Sequence, residues 1–262
     1  MTVELGELEQ LWRSTSAAYE EYFSEYSPST HYQRAACTIL NLAKSRVQSI
    51  SILISKSLTV DAAILVRSLM NLYWNFLFMV GAKQLGDGTG RWQFEDKPAE
   101  TSHEFQRACR FLSWHWAYAY RSANRTDKVV KLYEELKKEF GFKSDDEVPK
   151  DWYQERANGI FSIKDVARFI GAERQYDEDY KHLSGMEHSD VTSAIVHNFN
   201  EKGDVGYRRF IYFKGIQFFG QMLEMTIGIS GRKMNEALLS LVNKMGAVSK
   251  VLYDEIRKIE AE

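Results

Sequence analysis

At 262 residues, with 44% hydrophobic and 13% aromatic content, the chain holds enough apolar surface for a sizeable core, and this length suits one large domain. Its 34 basic and 36 acidic residues leave a formal charge of −2, which excludes a global electrostatic pull toward nucleic acid or an anionic membrane and leaves local patches as the only route. Cys37 and Cys109 are the only cysteines, too few for a disulfide framework and without metal-ligand spacing, and the acidic start MTVELGELEQLW is unlike a secretion signal, so a cytoplasmic protein is expected.

The first predicted element runs from Val3 to Tyr26, with Leu8, Leu11, Trp12, Tyr19, Tyr22 and Tyr26 at helical spacing, closed by Ser27-Pro28-Ser29. Tyr32 to Ser55 continues with Ala36, Leu40, Ala43, Val47, Ile50 and Ile54, alternating fours and threes. Thr59 then caps the most apolar stretch of the chain, TVDAAILVRSLMNLYWNFLFMV, ending at Val80. Length alone would let that helix cross a membrane, but Asp61, Arg67, Asn71 and Asn75 would each be costly in hydrocarbon, so it reads as a buried core helix and no membrane partner is expected.

Lys83 to Glu100, with GDGTG inside it, reads as a long loop pinned by Trp92 and Phe94. A helix from His103 to Tyr120, dense in aromatics, and another from Asp127 to Phe140 with a stop at Gly141 follow. Lys143 to Asn158 is charged and reads as peripheral. Short helices are expected over Ser162 to Ile170, Arg174 to Met186 and Ser189 to Phe199, then Tyr207 to Ile229 and a long last helix from Lys233 to Ile259. In that helix Leu238, Leu241, Met245, Val248, Leu252, Ile256 and Ile259 form a seam that could pack within the bundle or against a second copy in a homodimer. The expected architecture is a single all-α domain over residues 1–262, a multi-helix bundle around the buried helix at 59–80.

The chemistry concentrates on that central helix. At 100° per residue, Arg67, Asn71, Asn75 and Ser68 fall at about 0°, 40°, 80° and 100°, one polar stripe on an apolar cylinder. Burying an unpaired guanidinium is very costly, so Arg67 needs a partner, a wet cavity or a ligand. A second stripe lies in YKHLSGMEH, where Tyr180, Ser184 and His188 stand at i, i+4 and i+8. Arg67 is a fixed cation for phosphate or carboxylate, His188 can exchange a proton near neutral pH, and Tyr180, Ser184 and Asn71 can orient both. Two readings stand: an anion or phosphodiester site, with RNA or a phosphate-bearing small molecule as partner, and a buried network that satisfies Arg67 without any reaction.

The spacing of LVRSLMNLYWNFLFM and YKHLSGMEH resembles a widespread bacterial all-helical family of unknown function, with an Arg-Ser-apolar-apolar-Glu helix and a later Tyr-x-x-Leu-Ser-x-x-x-His segment. The resemblance spans Leu40 to Phe199 and implies site residues Arg67, Ser68, Tyr180, Ser184 and His188, while Asn71 replaces the family's Glu and so removes a carboxylate that could have paired Arg67. The helical Arg/His pairing is distantly similar to HEPN ribonucleases, dimeric helical toxins and defence effectors with an Arg-x(4 to 6)-His hallmark, and RFLSWH from Arg110 to His115 copies that spacing. There His acts on an RNA 2′-hydroxyl and Arg stabilises the pentavalent phosphate.

Other signatures are weak. One exact E-x-x-H motif, Glu100 to His103, and an imperfect one, Asp179 to His182, fall short of a di-iron set, and no zinc, P-loop or dinucleotide motif occurs. No metal or cofactor is therefore expected. YRRFIYFKG mixes basic and aromatic residues as single-strand binders do, and also fits a helix start whose Arg208, Arg209 and Lys214 face water.

Overall fold

Helical periodicity dominates the chain and the fold follows it: the computed structural model is an all-α multi-helix bundle with almost no strand. It describes residues 3–84, 92–122, 125–180, 183 and 201–259, without the side chains of 84, 201–204, 253 and 255–259. The described residues fall into two packed units, one drawn from Met1–Ser27, Cys37–Tyr73 and Arg174–Glu262, the other from Pro28–Ala36 and Trp74–Glu173.

In the first unit, α1 (Leu5–Phe23) opens on a capping box between Glu4 and Glu7 and buries Leu8, Leu11, Trp12 and Tyr22. Most of α2 (His31–Ser55) and the first part of α3 (Thr59–Met79) belong here. The α2–α3 turn places Ser57 in the left-handed region, φ 58°, and closes with an amide bond from Leu58 back to the Leu53 carbonyl at 2.9 Å. Two carboxy-terminal helices, α8 (Glu201–Ile229) and α9 (Glu236–Ile259), pack with α1. Trp12 meets Phe219 edge to face at 5.4 Å, and Tyr73 stacks on Phe218 at 4.9 Å. The Tyr22 hydroxyl donates to the Lys233 carbonyl at 3.1 Å and accepts from the Asn235 amide at 2.6 Å, tying α1 to the α8–α9 turn. Leu238, Met245 and Leu252 of the last-helix seam are buried within the chain itself, and Gly220 lets Met245 approach α8 where a Cβ would lie 2.6 Å from its sulfur.

In the second unit the end of α3 buries Trp74, Phe76, Leu77, Phe78 and Met79. Residues read as a long loop carry a short antiparallel ladder, Lys83–Gln84 (β1) with Trp92–Gln93 (β2). The Tyr32 hydroxyl donates to the Glu95 carbonyl at 2.7 Å and ties down the segment that follows β2, beside the half-buried Trp92 and Phe94. The single helix expected from His103 to Tyr120 is two, α4 (His103–Ser113) and α5 (His115–Arg121). At the break the His115 ring nitrogen Nδ1 lies 2.8 Å from the Leu112 carbonyl, competing for an acceptor the helix would use. Helix α6 (Asp127–Glu139) is capped by Thr126 and followed by Gly141 at φ 72°, the left-handed stop its sequence predicts. Helix α7 (Ile163–Phe169) starts on a Ser162/Asp165 capping box.

The charged segment 143–158 is not wholly peripheral. Val148 and Trp152 are buried, and Glu155 turns inward because Arg107 sits opposite, as described below.

Candidate functional site

The polar stripe of α3 is half-buried throughout: Arg67, Ser68, Asn71 and Asn75 are neither core nor exposed. Its first turns are held in the first unit, where two neighbouring elements answer it. From α2, Arg46 donates through Nε to the Ser68 hydroxyl at 3.0 Å, and burial lowers the Arg46 pKa. Sequence inspection missed Arg46, because nothing in its own helix pattern shows that it faces α3.

The second element is a π-helical turn, Tyr176–Tyr180, reached through the one-turn helix Glu173–Gln175. The wider π turn departs from the uniform 3.6-residue helix that the reading from Arg174 to Met186 assumed. Its last residue, Tyr180, is buried and meets α3. Arg67 donates through Nη2 to the Tyr180 hydroxyl at 3.1 Å, and Asn71 through Nδ2 to the same oxygen at 3.4 Å. The guanidinium also lies 4.9 Å from the Tyr180 ring centroid, and Tyr176 stacks behind that ring at 4.8 Å. A tyrosyl oxygen that accepts two bonds uses both lone pairs. The Asn71 and Asn75 Oδ1 atoms are buried with no partner among the described residues.

A buried ion pair positions the turn. Lys214 of α8 is 3% exposed and donates to Asp179 at 3.0 Å, fixing the residue before Tyr180. The expectation that Lys214 faces water is therefore corrected. Arg208 and Arg209 are half-buried too, donating to the Ser57 hydroxyl at 2.8 Å and the Val3 carbonyl at 2.9 Å. An α8 that packs on several sides has no free face on which to keep three cations in solvent.

Of the six site residues expected from sequence, the structure brings together Arg67, Asn71 and Tyr180 and sets Ser68 against Arg46; Ser184 and His188 lie outside the described residues. Arg110 and His115 of the RFLSWH segment part company: Arg110 is half-buried and donates to the Gln154 carbonyl at 3.4 Å, while His115 is exposed at the start of α5. Glu100 and His103 are exposed, and the described residues contain no group of three or more His, Cys, Asp or Glu placed to hold a metal. Among the described residues one helix, Thr59–Met79, is long and apolar enough to cross a membrane, and 61% of its apolar window is buried inside the protein.

The second unit contains an arrangement the sequence did not reveal. Arg107, 4% exposed, donates through Nε and Nη2 to the two oxygens of Glu155 at 2.9 and 3.0 Å and through Nη1 to the Phe78 carbonyl at 3.1 Å. Its guanidinium lies 3.9 Å from the Phe78 ring centroid. Burial alone would raise the Glu155 pKa, but the Arg107 fork outweighs it and the carboxyl stays below the ordinary range. Only the 48-residue separation hid this pair from a local reading.

No curated protein and no solved structure matches the chain. A sequence model of one family matches residues 35–205, more than half of the chain and a range that includes Arg67, Asn71 and Tyr180. The chain belongs to that family, a family of unknown function (DUF5677).

Proposed function

We propose that this protein is a cytoplasmic bacterial effector, of the toxin or defence kind, that recognises RNA or a nucleotide by its phosphate at the Arg67 cluster. The observation that supports this reading is the convergence of a guanidinium and an amide on one buried hydroxyl, Tyr180. Fixed donors and a permanent cation in a half-buried setting are what phosphate recognition requires. In the HEPN-like version His188 takes the proton of an RNA 2′-hydroxyl as that oxygen attacks phosphorus, and the bond to the 5′-oxygen breaks to leave a 2′,3′-cyclic phosphate. The departing 5′-oxygen takes a proton from water while His188 gives its own back to solvent, and Arg67 stabilises the charge on the phosphoryl oxygens while Ser184, Tyr180 and Asn71 orient the groups.

The second reading is a non-catalytic helical interaction or sensor module whose polar cluster is internal scaffolding. The stacking of Tyr176, Tyr180 and the Arg67 guanidinium favours it, since the stack spends the cation on an interior ring.

Labelled RNA and nucleotides, offered to the wild type and to Arg67→Gln and His188→Ala, separate the two. The effector reading expects affinity to fall by about tenfold or more in Arg67→Gln, for the loss of a charge-assisted bond, and turnover to vanish in His188→Ala, with circular dichroism unchanged. Wild-type protein that neither binds nor cleaves, or variants that match it, overturns the effector reading.

A further inference from the structure

The second unit holds a cleft of about 270 Å³ that the Arg67 reading does not use. Helix α4 lines one side with His103, Gln106, Arg107 and Arg110, and the segment around Arg156 and Asn158 lines another. Three guanidiniums therefore border this space against two carboxylates, Glu147 and Glu155. Glu155 is already committed to the Arg107 fork and also accepts from the Asn158 amide at 2.7 Å. Glu147 is exposed and accepts the Lys143 backbone amide at 2.7 Å. The positive surplus rests on Arg110 and Arg156.

Neither of those two has a carboxylate within ion-pair distance among the described residues. Arg110 is half-buried; its bond to the Gln154 carbonyl is long at 3.4 Å, and its Nε is buried with no partner among the described residues. Burial lowers its pKa, the mark of a cation stripped of water. Among the described residues Arg156, exposed, reaches only the Asp146 carbonyl at 3.5 Å. A guanidinium in this state gains most from an oxyanion that supplies both charge and several acceptors. A phosphate, with three outer oxygens and up to two negative charges, can accept from both cations at once and brings more charge than a carboxylate does. Phe142 and Pro149 add apolar surface to the lining, and a volume of about 270 Å³, just under the usual range for drug-sized ligands, admits a compact one.

We infer that this cleft binds a small phosphate-bearing molecule, its phosphate held between Arg110 and Arg156 and its remaining body against Phe142 and Pro149. The Arg107–Glu155 pair borders the same cleft with its charges matched and adds little net charge toward the ligand. This site is separate from the Arg67 cluster and stands or falls without it.

Calorimetric titration with inorganic phosphate tests the assignment, with acetate at matched ionic strength as comparison. Saturable phosphate binding is expected in the wild type and, at the cleft alone, in Arg67→Gln, with acetate weaker, and this cleft affinity should fall about tenfold or more when Arg110→Gln or Arg156→Gln is added to Arg67→Gln. Arg156 is exposed, so its variant keeps the test valid if Arg110→Gln fails to fold. The proposal is overturned if phosphate does not bind the wild type, if acetate binds as well, or if both cleft variants bind like Arg67→Gln. Loss of binding in Arg67→Gln alone would also overturn it, while leaving the reading of the Arg67 cluster intact.

Discussion

Replacing Glu155 by alanine should destabilise the protein more than almost any other single change outside the apolar core. It leaves Arg107, 4% exposed, with one backbone acceptor at 3.1 Å, the Glu104 carboxylate at 4.0 Å, the outer limit of an ion pair, and the rings of Phe78 and Phe169. Two charge-assisted bonds of about 1.5 to 3 kcal/mol each are lost, and water entering from the adjoining cleft returns part of that, so a net loss of about 3 kcal/mol is expected, at the low end for breaking a buried pair. With a urea slope of about 2 kcal/mol/M, the unfolding midpoint should fall by about 1.5 M. A double variant, Arg107→Met with Glu155→Leu, should recover most of the loss, because two well-packed apolar side chains need no counter-charge. The pH dependence has a definite sign. The folded-state pKa of Glu155 lies below its ordinary value of 4.5, so the pair's contribution is complete above pH 4.5 and is lost as pH falls from there through the folded-state value. The stability gap between the wild type and Glu155→Gln should close over that acid range. A cost below about 1 kcal/mol for Glu155→Ala, or a gap that widens with acid, would refute the argument.

Two further substitutions probe the frame. Gly81→Ala forces a side chain onto φ 64° and puts its Cβ 2.7 Å from a Glu104 oxygen and 2.9 Å from its Cγ, so thermal unfolding should report a loss of about 1 to 2 kcal/mol. Lys214→Met removes the partner of Asp179 and should loosen the π turn that presents Tyr180. A double-mutant cycle with Tyr180→Phe is expected to show a coupling above about 0.5 kcal/mol, and strict additivity would mean that the turn holds without Lys214.

Much of the helix inventory was legible in the chain because helical periodicity and caps are local properties. The 3.6-residue repeats of α1, α2 and α3, the Gly141 stop and the Ser162 start each depend on residues within four positions of one another. The α3 stripe was legible for the same reason, and so was the need of Arg67 for a neighbour. What supplies that neighbour was only half visible: Tyr180 stood at the right spacing to be suspected, whereas Arg46 and the Lys214–Asp179 pair carry no mark of their roles in their own windows.

By itself, then, the order of residues determined that this protein is helical, where most helices begin and end, and that one cation on the most apolar helix had to be answered. Tertiary structure alone decided which groups answer it, that Lys214 lies inside, and that Arg107 meets Glu155 across 48 residues and leaves Arg110 beside an open cleft. The reason is one of range. Backbone hydrogen bonds and caps close within a turn, but a charge takes its partner from whatever the fold brings within a few ångströms, and the cost of burial makes that choice only after the helices have packed.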